Sequence, residues 1–162
     1  MQAIKVHYEV ARDLDVPAHV AVAFFHDPTA LARCTPHVTA YERVDSATVD
    51  YTLETQRDLG LTFTPRYRLH YVWETPRTLT WATVPVDGAT VEVAARVQFV
   101  ELSSERCRIV VEERIAFSLP VTFITAKIVQ VMARRESARD METLLQAVDT
   151  ALTERALVEA TA

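Results

Sequence analysis

From Val38 to Leu119 apolar and polar residues alternate with a period of two, the pattern of strands that bury one face and expose the other. Turn-forming breaks at Asp45-Ser46, Leu59-Gly60, Thr75-Pro76-Arg77, Val86-Asp87-Gly88 and Ser103-Ser104-Glu105 divide this stretch into six strands of an antiparallel meander. The clearest strand runs from Leu61 to Glu74, with Leu61, Phe63, Pro65, Tyr67, Leu69, Tyr71 and Trp73 on one face. Pro65 has no N–H to donate to a ladder, so that end is expected at a sheet edge or a bulge. Beyond Pro120, Val121 to about Leu157 contains no proline or glycine and is rich in Ala, Leu, Arg, Glu and Met, which predicts one long helix. A sheet with a single apolar face must cover it, and this helix is the one element long enough to do so. The sheet is therefore expected to curl around the helix.

Ahead of the meander, Ile4, Val6, Tyr8 and Val10 alternate with polar residues and predict a first strand over Ile4 to Arg12. Asp15-Val16-Pro17 reads as a helix start, since proline presets the backbone of a first turn and its missing donor would go unpaired there anyway. One short helix is expected from Pro17 to about His26 and another from Thr29 to Cys34, stopped by Pro36. The predicted order is strand, two short helices, six strands, long helix. The 162 residues contain no repeat or linker at which to place a boundary, so residues 1–162 are expected to form one domain, with 158–162 as a loose tail.

Composition narrows the function. A net charge of -5 argues against a protein that tracks a nucleic-acid backbone, because counterion release requires a dense basic surface. Gly60 and Gly88 are the only glycines, too few for a phosphate-cradling loop or a dinucleotide-binding turn. Cys34 and Cys107 show neither zinc-ribbon spacing nor the crowding of disulfide scaffolds, and are expected as reduced thiols in a cytoplasmic protein. The apolar stretches Val20 to Phe25 and Val121 to Ala133 are too short to span a bilayer, so no transmembrane segment is expected. His26, Cys34 and His37 lie near one another in sequence but form no tight ligand pair, and no serine sits in a nucleophile elbow, so neither a metal site, a cofactor nor a covalent mechanism is expected. The oligomeric state is left open.

The element order, together with Asp15-Val16-Pro17-Ala18-His19-Val20-Ala21-Val22-Ala23-Phe24-Phe25-His26-Asp27-Pro28, resembles the START-like or SRPBCC superfamily, which includes the polyketide cyclase/dehydrase family. The resemblance covers nearly the whole chain. It implies an α+β helix-grip fold, in which a curved seven-stranded antiparallel sheet grips a long C-terminal helix and two short helices join the first two strands. It also implies a deep cavity between sheet and helix for lipids, sterols, quinones, polyketides or other apolar molecules. It carries no catalytic signature, so no catalytic residue is transferred from the family.

Strand phase assigns the inner face: Tyr8, Tyr51, Leu53, Thr55, Arg57, Phe63, Tyr67, Leu69, Tyr71, Trp73, Leu79, Trp81, Val93, Val97, Phe99, Ile109, Val111, Glu113, Ile115 and Phe117. Four tyrosines and both tryptophans belong to this set, and in a tightly packed core each polar tip would need a partner. A cavity removes that demand, although the same rings can equally fill a core with their tips at its rim. Glu112 and Glu113 are adjacent, so they face opposite sides, and the phase of Val111 and Ile115 turns Glu113 inward. A carboxylate there either pairs with a cation such as Arg57, holding sheet to helix, or has its pKa raised and serves as general acid or base. On the long helix Phe123, Lys127, Val131, Arg134, Ala138, Met141, Val148 and Leu152 fall on one side. Lys127 and Arg134 would then either meet an anionic group in the cavity or snorkel outward.

Two functions fit these residues. The preferred one is non-covalent binding of a hydrophobic or amphipathic small molecule by Tyr8, Tyr51, Arg57, Phe63, Tyr67, Tyr71, Trp73, Trp81, Phe99, Val111, Lys127, Val131 and Arg134. The alternative is a cofactor-independent cyclase, aromatase or dehydratase in which Glu113 and a tyrosine move a proton while Arg57, Lys127 or Arg134 stabilises an oxyanion. A protein-binding module would need an exposed apolar or charged patch over a closed interior, and nothing in the sequence specifically demands one.

Overall fold

The computed structural model describes residues 1–161. Strand β1 spans Gln2–Leu14 and buries Ile4, Val6, Tyr8 and Val10, as their alternation requires. Helix α1 (Ala18–Phe25) starts behind Pro17, and α2 (Pro28–Cys34) starts behind Asp27, whose carboxylate accepts the Thr29 N–H at 3.0 Å. The chain then builds β2 (Val38–Asp45), β3 (Thr48–Leu53), β4 (Gln56–Asp58), β5 (Leu61–Phe63), β6 (Arg66–Thr75), β7 (Thr78–Val84), β8 (Glu92–Ser103) and β9 (Arg106–Leu119), and ends in α3 (Phe123–Thr161). Seven strands form one antiparallel sheet in the order β1-β9-β8-β7-β6-β3-β2, with α3 laid across β1 and the inner face. The predicted seven-stranded helix-grip architecture is the one observed.

Two of the predicted strands are broken. The stretch expected to run unbroken to Asp58 stops at Leu53, and the stretch from Leu61 to Glu74 is interrupted at Thr64-Pro65. Pro65 supplies the cause: without an N–H it cannot continue the ladder, and its carbonyl instead accepts the Leu53 N–H at 3.0 Å. The Thr55 and Thr64 hydroxyls meet at 2.8 Å at the same level. Beyond this point β4 and β5 leave the main sheet as a separate two-stranded hairpin. Its tip, Leu59-Gly60, has φ values of 52° and 74°, the doubly positive geometry of a two-residue turn whose twist matches its flanking strands. The long helix also runs further than expected. Val158 to Thr161, expected as a loose tail, continue α3 as an exposed last turn.

The inner face divides into two halves. Under α1 it is filled by rings: Phe25 packs edge-on against Phe99 at 5.0 Å, Trp73 stacks on Phe99 at 5.7 Å, and His26 stacks on Trp73 at 4.1 Å. Towards α3 the same face bears the polar-tipped aromatics and Glu113, and there the packing opens.

A carboxylate floor beneath an aromatic cavity

The strand registers align a row of side chains across five strands. Tyr8 on β1 lies opposite Glu113 on β9, Glu113 opposite Ala95 on β8, Ala95 opposite Trp81 on β7, and Trp81 opposite Tyr71 on β6. The Tyr8 hydroxyl donates to Glu113 Oε1 at 2.5 Å, and the Trp81 indole Nε1–H donates to Oε2 at 3.1 Å. Trp81 and Glu113 are two strands apart, about 10 Å at ordinary strand spacing. Their side chains meet because Ala95, between them, offers only a methyl group. Each carboxylate oxygen thus has a buried donor, and Glu113 is 7% exposed.

Burial pushes the Glu113 carboxyl above its ordinary pKa, while the Tyr8 and Trp81 hydrogen bonds act in the opposite direction by favouring the charged form. The Tyr8 hydroxyl is pushed far up, by burial first and by the Glu113 charge second. On the neighbouring strands the Tyr51 and Tyr71 hydroxyls share a hydrogen bond of 2.6 Å, and Tyr67 stacks on Tyr51 at 5.4 Å. Burial raises Tyr51 to about 12, with the Tyr71 bond offsetting part of the rise. Tyr67 is raised by burial and then by Glu113, and its hydroxyl makes no hydrogen bond to the protein among the described residues. It opens into the space described next.

That space is a cavity of about 230 Å³ between sheet and helix. Tyr8, Tyr51, Phe63, Tyr67, Tyr71, Trp81 and Glu113 form its sheet side; Val129, Met132, Ala133, Ser137, Asp140, Met141 and Leu144 form its helix side. Leu31 of α2 and Thr35 and Pro36 just after it also line it. The exposed members of the lining, Gln56, Asp58 and Leu59 of the β4–β5 hairpin and Met132 and Glu136 of α3, mark the mouth. Asp140 is half-buried, and His37 Nε2 lies 3.3 Å from its Oδ1; burial raises the Asp140 carboxyl and His37 draws it back.

Of the residues expected from sequence, Glu113, Tyr8, Tyr51, Phe63, Tyr67, Tyr71 and Trp81 converge on this cavity. Seven others lie outside it. Trp73, Phe99 and Val111 occupy the same inner face but belong to the half filled by α1. Arg57 is exposed on β4, because the break after Leu53 ends the strand phase that placed it inward, and Glu113 has hydrogen-bond donors rather than a cation as partners. Lys127, Val131 and Arg134 lie on exposed positions of α3, with the Lys127 ammonium 4.8 Å from the Phe123 ring centroid. The expected inward stripe of α3 is correct from Ala138 onward, and its earlier members Phe123, Lys127, Val131 and Arg134 are exposed. Asp140, Ser137 and Ala133 were not singled out by sequence reasoning; extending the helical phase backward from Met141 in steps of four reaches Ser137 and Ala133. Among the described residues no group of three or more His, Cys, Asp or Glu side chains is placed to hold a metal ion, and no helix is long and apolar enough to cross a membrane.

No protein-family model matches the chain, and no curated protein matches it in sequence. Solved structures do match in fold. A START superfamily protein from Mycobacterium smegmatis superposes with a TM-score of 0.69 at 11% identity, over 91% of this chain and 97% of that one. The Zhui aromatase/cyclase from Streptomyces sp. R1128 gives 0.69 at 16% identity, over 94% and 96%. The di-domain ARO/CYC StfQ from the steffimycin biosynthetic pathway gives 0.67 at 14%, over 94% of this chain and 52% of that one. The fold is START-like.

Proposed function

We propose that this START-like domain binds a hydrophobic or amphipathic small molecule without covalent chemistry, in the cavity between β-sheet and α3. The observation that carries the reading is the open, aromatic half of an otherwise filled interior, with an unpartnered Tyr67 hydroxyl and a buried Glu113 on its walls. Apolar burial supplies the affinity, at about 25 cal/mol per Å² removed from water, and the few polar tips set orientation. At about 230 Å³ the cavity is below the usual range of roughly 300–1,000 Å³ for ligand pockets, which favours a single-chain or few-ring guest over a two-chain lipid. Native mass spectrometry of the purified protein, paired with titration of a neutral fluorescent apolar probe, tests the reading. A co-purifying or titratable guest is the expected result; a protein that carries none and leaves the probe dark would overturn it.

The likeness to two aromatase/cyclase structures favours one further reading, a cofactor-independent cyclase or dehydratase with Glu113 as the proton-transfer group and Tyr8 as its positioning partner. In this reading Arg57, Lys127 and Arg134 have no role, because none of them lines the cavity, so oxyanion stabilisation would fall to hydroxyls such as that of Tyr67. Glu113→Gln would then abolish turnover while the fold persists. Full activity of that variant would remove the assigned role.

A further inference from the structure

The charge lining the cavity has one sign. Among the described residues its lining carboxyls are Asp58, Glu113, Glu136 and Asp140, and no lysine, arginine or histidine lines it. Three of these are compensated or near solvent: Asp58 and Glu136 are exposed at the mouth, and Asp140 is shared with His37. Glu113 differs, being deep and bonded only by the neutral donors Tyr8 and Trp81. Those bonds satisfy its oxygens in part but leave its charge without a counter-charge, and each oxygen keeps acceptor capacity towards the cavity. An anionic guest would bring a second negative charge beside it in a poorly solvated space, whereas a cationic one would cancel it. The rings of Tyr51, Tyr67, Tyr71 and Trp81 stand around the same space, and aromatic faces attract cations.

Resting on the binding function proposed above, we infer that the guest is a lipophilic amine or comparable cationic amphiphile, its protonated nitrogen directed at Glu113 and its apolar body along the aromatic and aliphatic walls. Fatty acids, acyl phosphates and other apolar anions are disfavoured by the same arrangement. Desolvation, which raises the proton affinity of the empty site's carboxyl, works in the same direction: an ammonium ion against Glu113 removes the cost of holding a lone charge there.

The test uses three guests that share one chain: octylamine, 1-octanol and octanoate, each titrated into the full-length protein at neutral pH against a neutral apolar fluorescent probe. Runs at about 0.15 M and about 0.5 M salt screen attraction to the acidic outer surface. Octylamine is expected to bind at least about tenfold tighter than 1-octanol and octanoate more weakly than both, an order that high salt preserves because buried charges are little screened. In Glu113→Gln the amine-to-alcohol ratio should fall to near one; being a ratio within one protein, it does not depend on how stable that variant is, and if the variant does not fold the order in the native protein decides alone. Equal binding of all three guests, or tighter octanoate binding, overturns the inference while leaving the apolar cavity function intact. Failure of all three and of the neutral probe overturns the binding function, and the amine preference with it.

Discussion

Replacing Glu113 by glutamine should stabilise the empty protein at neutral pH, and the gain should vanish in acid. Glutamine has the shape of the carboxyl, and both hydrogen bonds can survive the change. Its carbonyl can accept the Trp81 N–H while its amide donates to the Tyr8 hydroxyl, which reverses from donor to acceptor. What disappears is the buried charge. The native carboxyl has a pKa raised above its ordinary 4.5, so between the two values the folded state still holds a proton that the unfolded state has already released. The contribution of Glu113 to stability is therefore full below about 4.5, falls as pH rises through its folded-state pKa, and levels off beyond it, while the lowered carboxyls of Asp13, Asp45 and Asp50 act in the opposite direction equally in wild type and variant. Each pKa unit of displacement corresponds to about 1.4 kcal/mol. Urea denaturation of ligand-free wild type and variant between acid and neutral pH gives the comparison directly. The curves should meet at the acid end and separate with rising pH, the glutamine variant above. Parallel curves, or a variant less stable by about 2 kcal/mol throughout, would refute the assignment of Glu113 as a desolvated, uncompensated carboxyl.

Tyr8→Phe removes the donor to Oε1 and should cost about 1–3 kcal/mol by thermal or urea denaturation, more at neutral pH than in acid, where the protonated carboxyl needs that donor less. Ala95→Leu places a branched side chain in the path of the Trp81 indole; loss of the bond to Glu113 and overpacking together should cost about 1–3 kcal/mol and alter tryptophan fluorescence, and an unchanged emission spectrum would count against the bridging geometry. Leu59→Asn supplies a residue tolerant of positive φ at the hairpin tip, where leucine sits at 52°, and should raise stability by up to about 1 kcal/mol; a drop would mean that Leu59 contributes contacts at the cavity mouth that outweigh its strain.

How far the sequence carried the fold follows from which signals were local. Alternation over long, uninterrupted strands placed Tyr8 and Glu113 on the same face, and both lie within the unbroken pairing of β1 with β9. The position of Glu113 needed only its phase relative to Val111 and Ile115. Arg57 needed the phase to persist through Thr55, and there the sheet ends. Pro65 was a visible warning on the partner strand, but its effect on the 53–58 segment is a long-range contact, the Leu53 N–H bound to the Pro65 carbonyl, which no local pattern encodes. The Trp81–Glu113 bond was equally illegible: it depends on strand order and on the small size of Ala95 between the two residues.

The phase of α3 shows why a cavity misleads hydrophobic periodicity. Before Met141 the inward positions are Ala126, Val129, Ala133 and Ser137, mostly small, while Phe123, Ile124, Ile128 and Val131 are 63%, 74%, 52% and 62% exposed. Summed hydrophobicity therefore points to the wrong side, and the stripe drawn through Lys127, Val131 and Arg134 is offset from the observed one by about 100°, a single helical residue. The error has a physical origin in the site itself. Over the cavity α3 carries Ala133, Ser137 and Asp140 beside Met132, so less apolar weight marks the inward side there than where the helix packs on the sheet, and the apolar weight shifts to the opposite face. From Met141 onward, where Met141 and Leu144 end the lining and Leu145, Val148 and Leu152 pack closely, periodicity and burial agree. On α3 the cavity lining runs from Val129 to Leu144, so the disagreement between periodicity and burial overlaps it over Val129 to Asp140, and phasing the helix from its packed C-terminal half exposes that overlap.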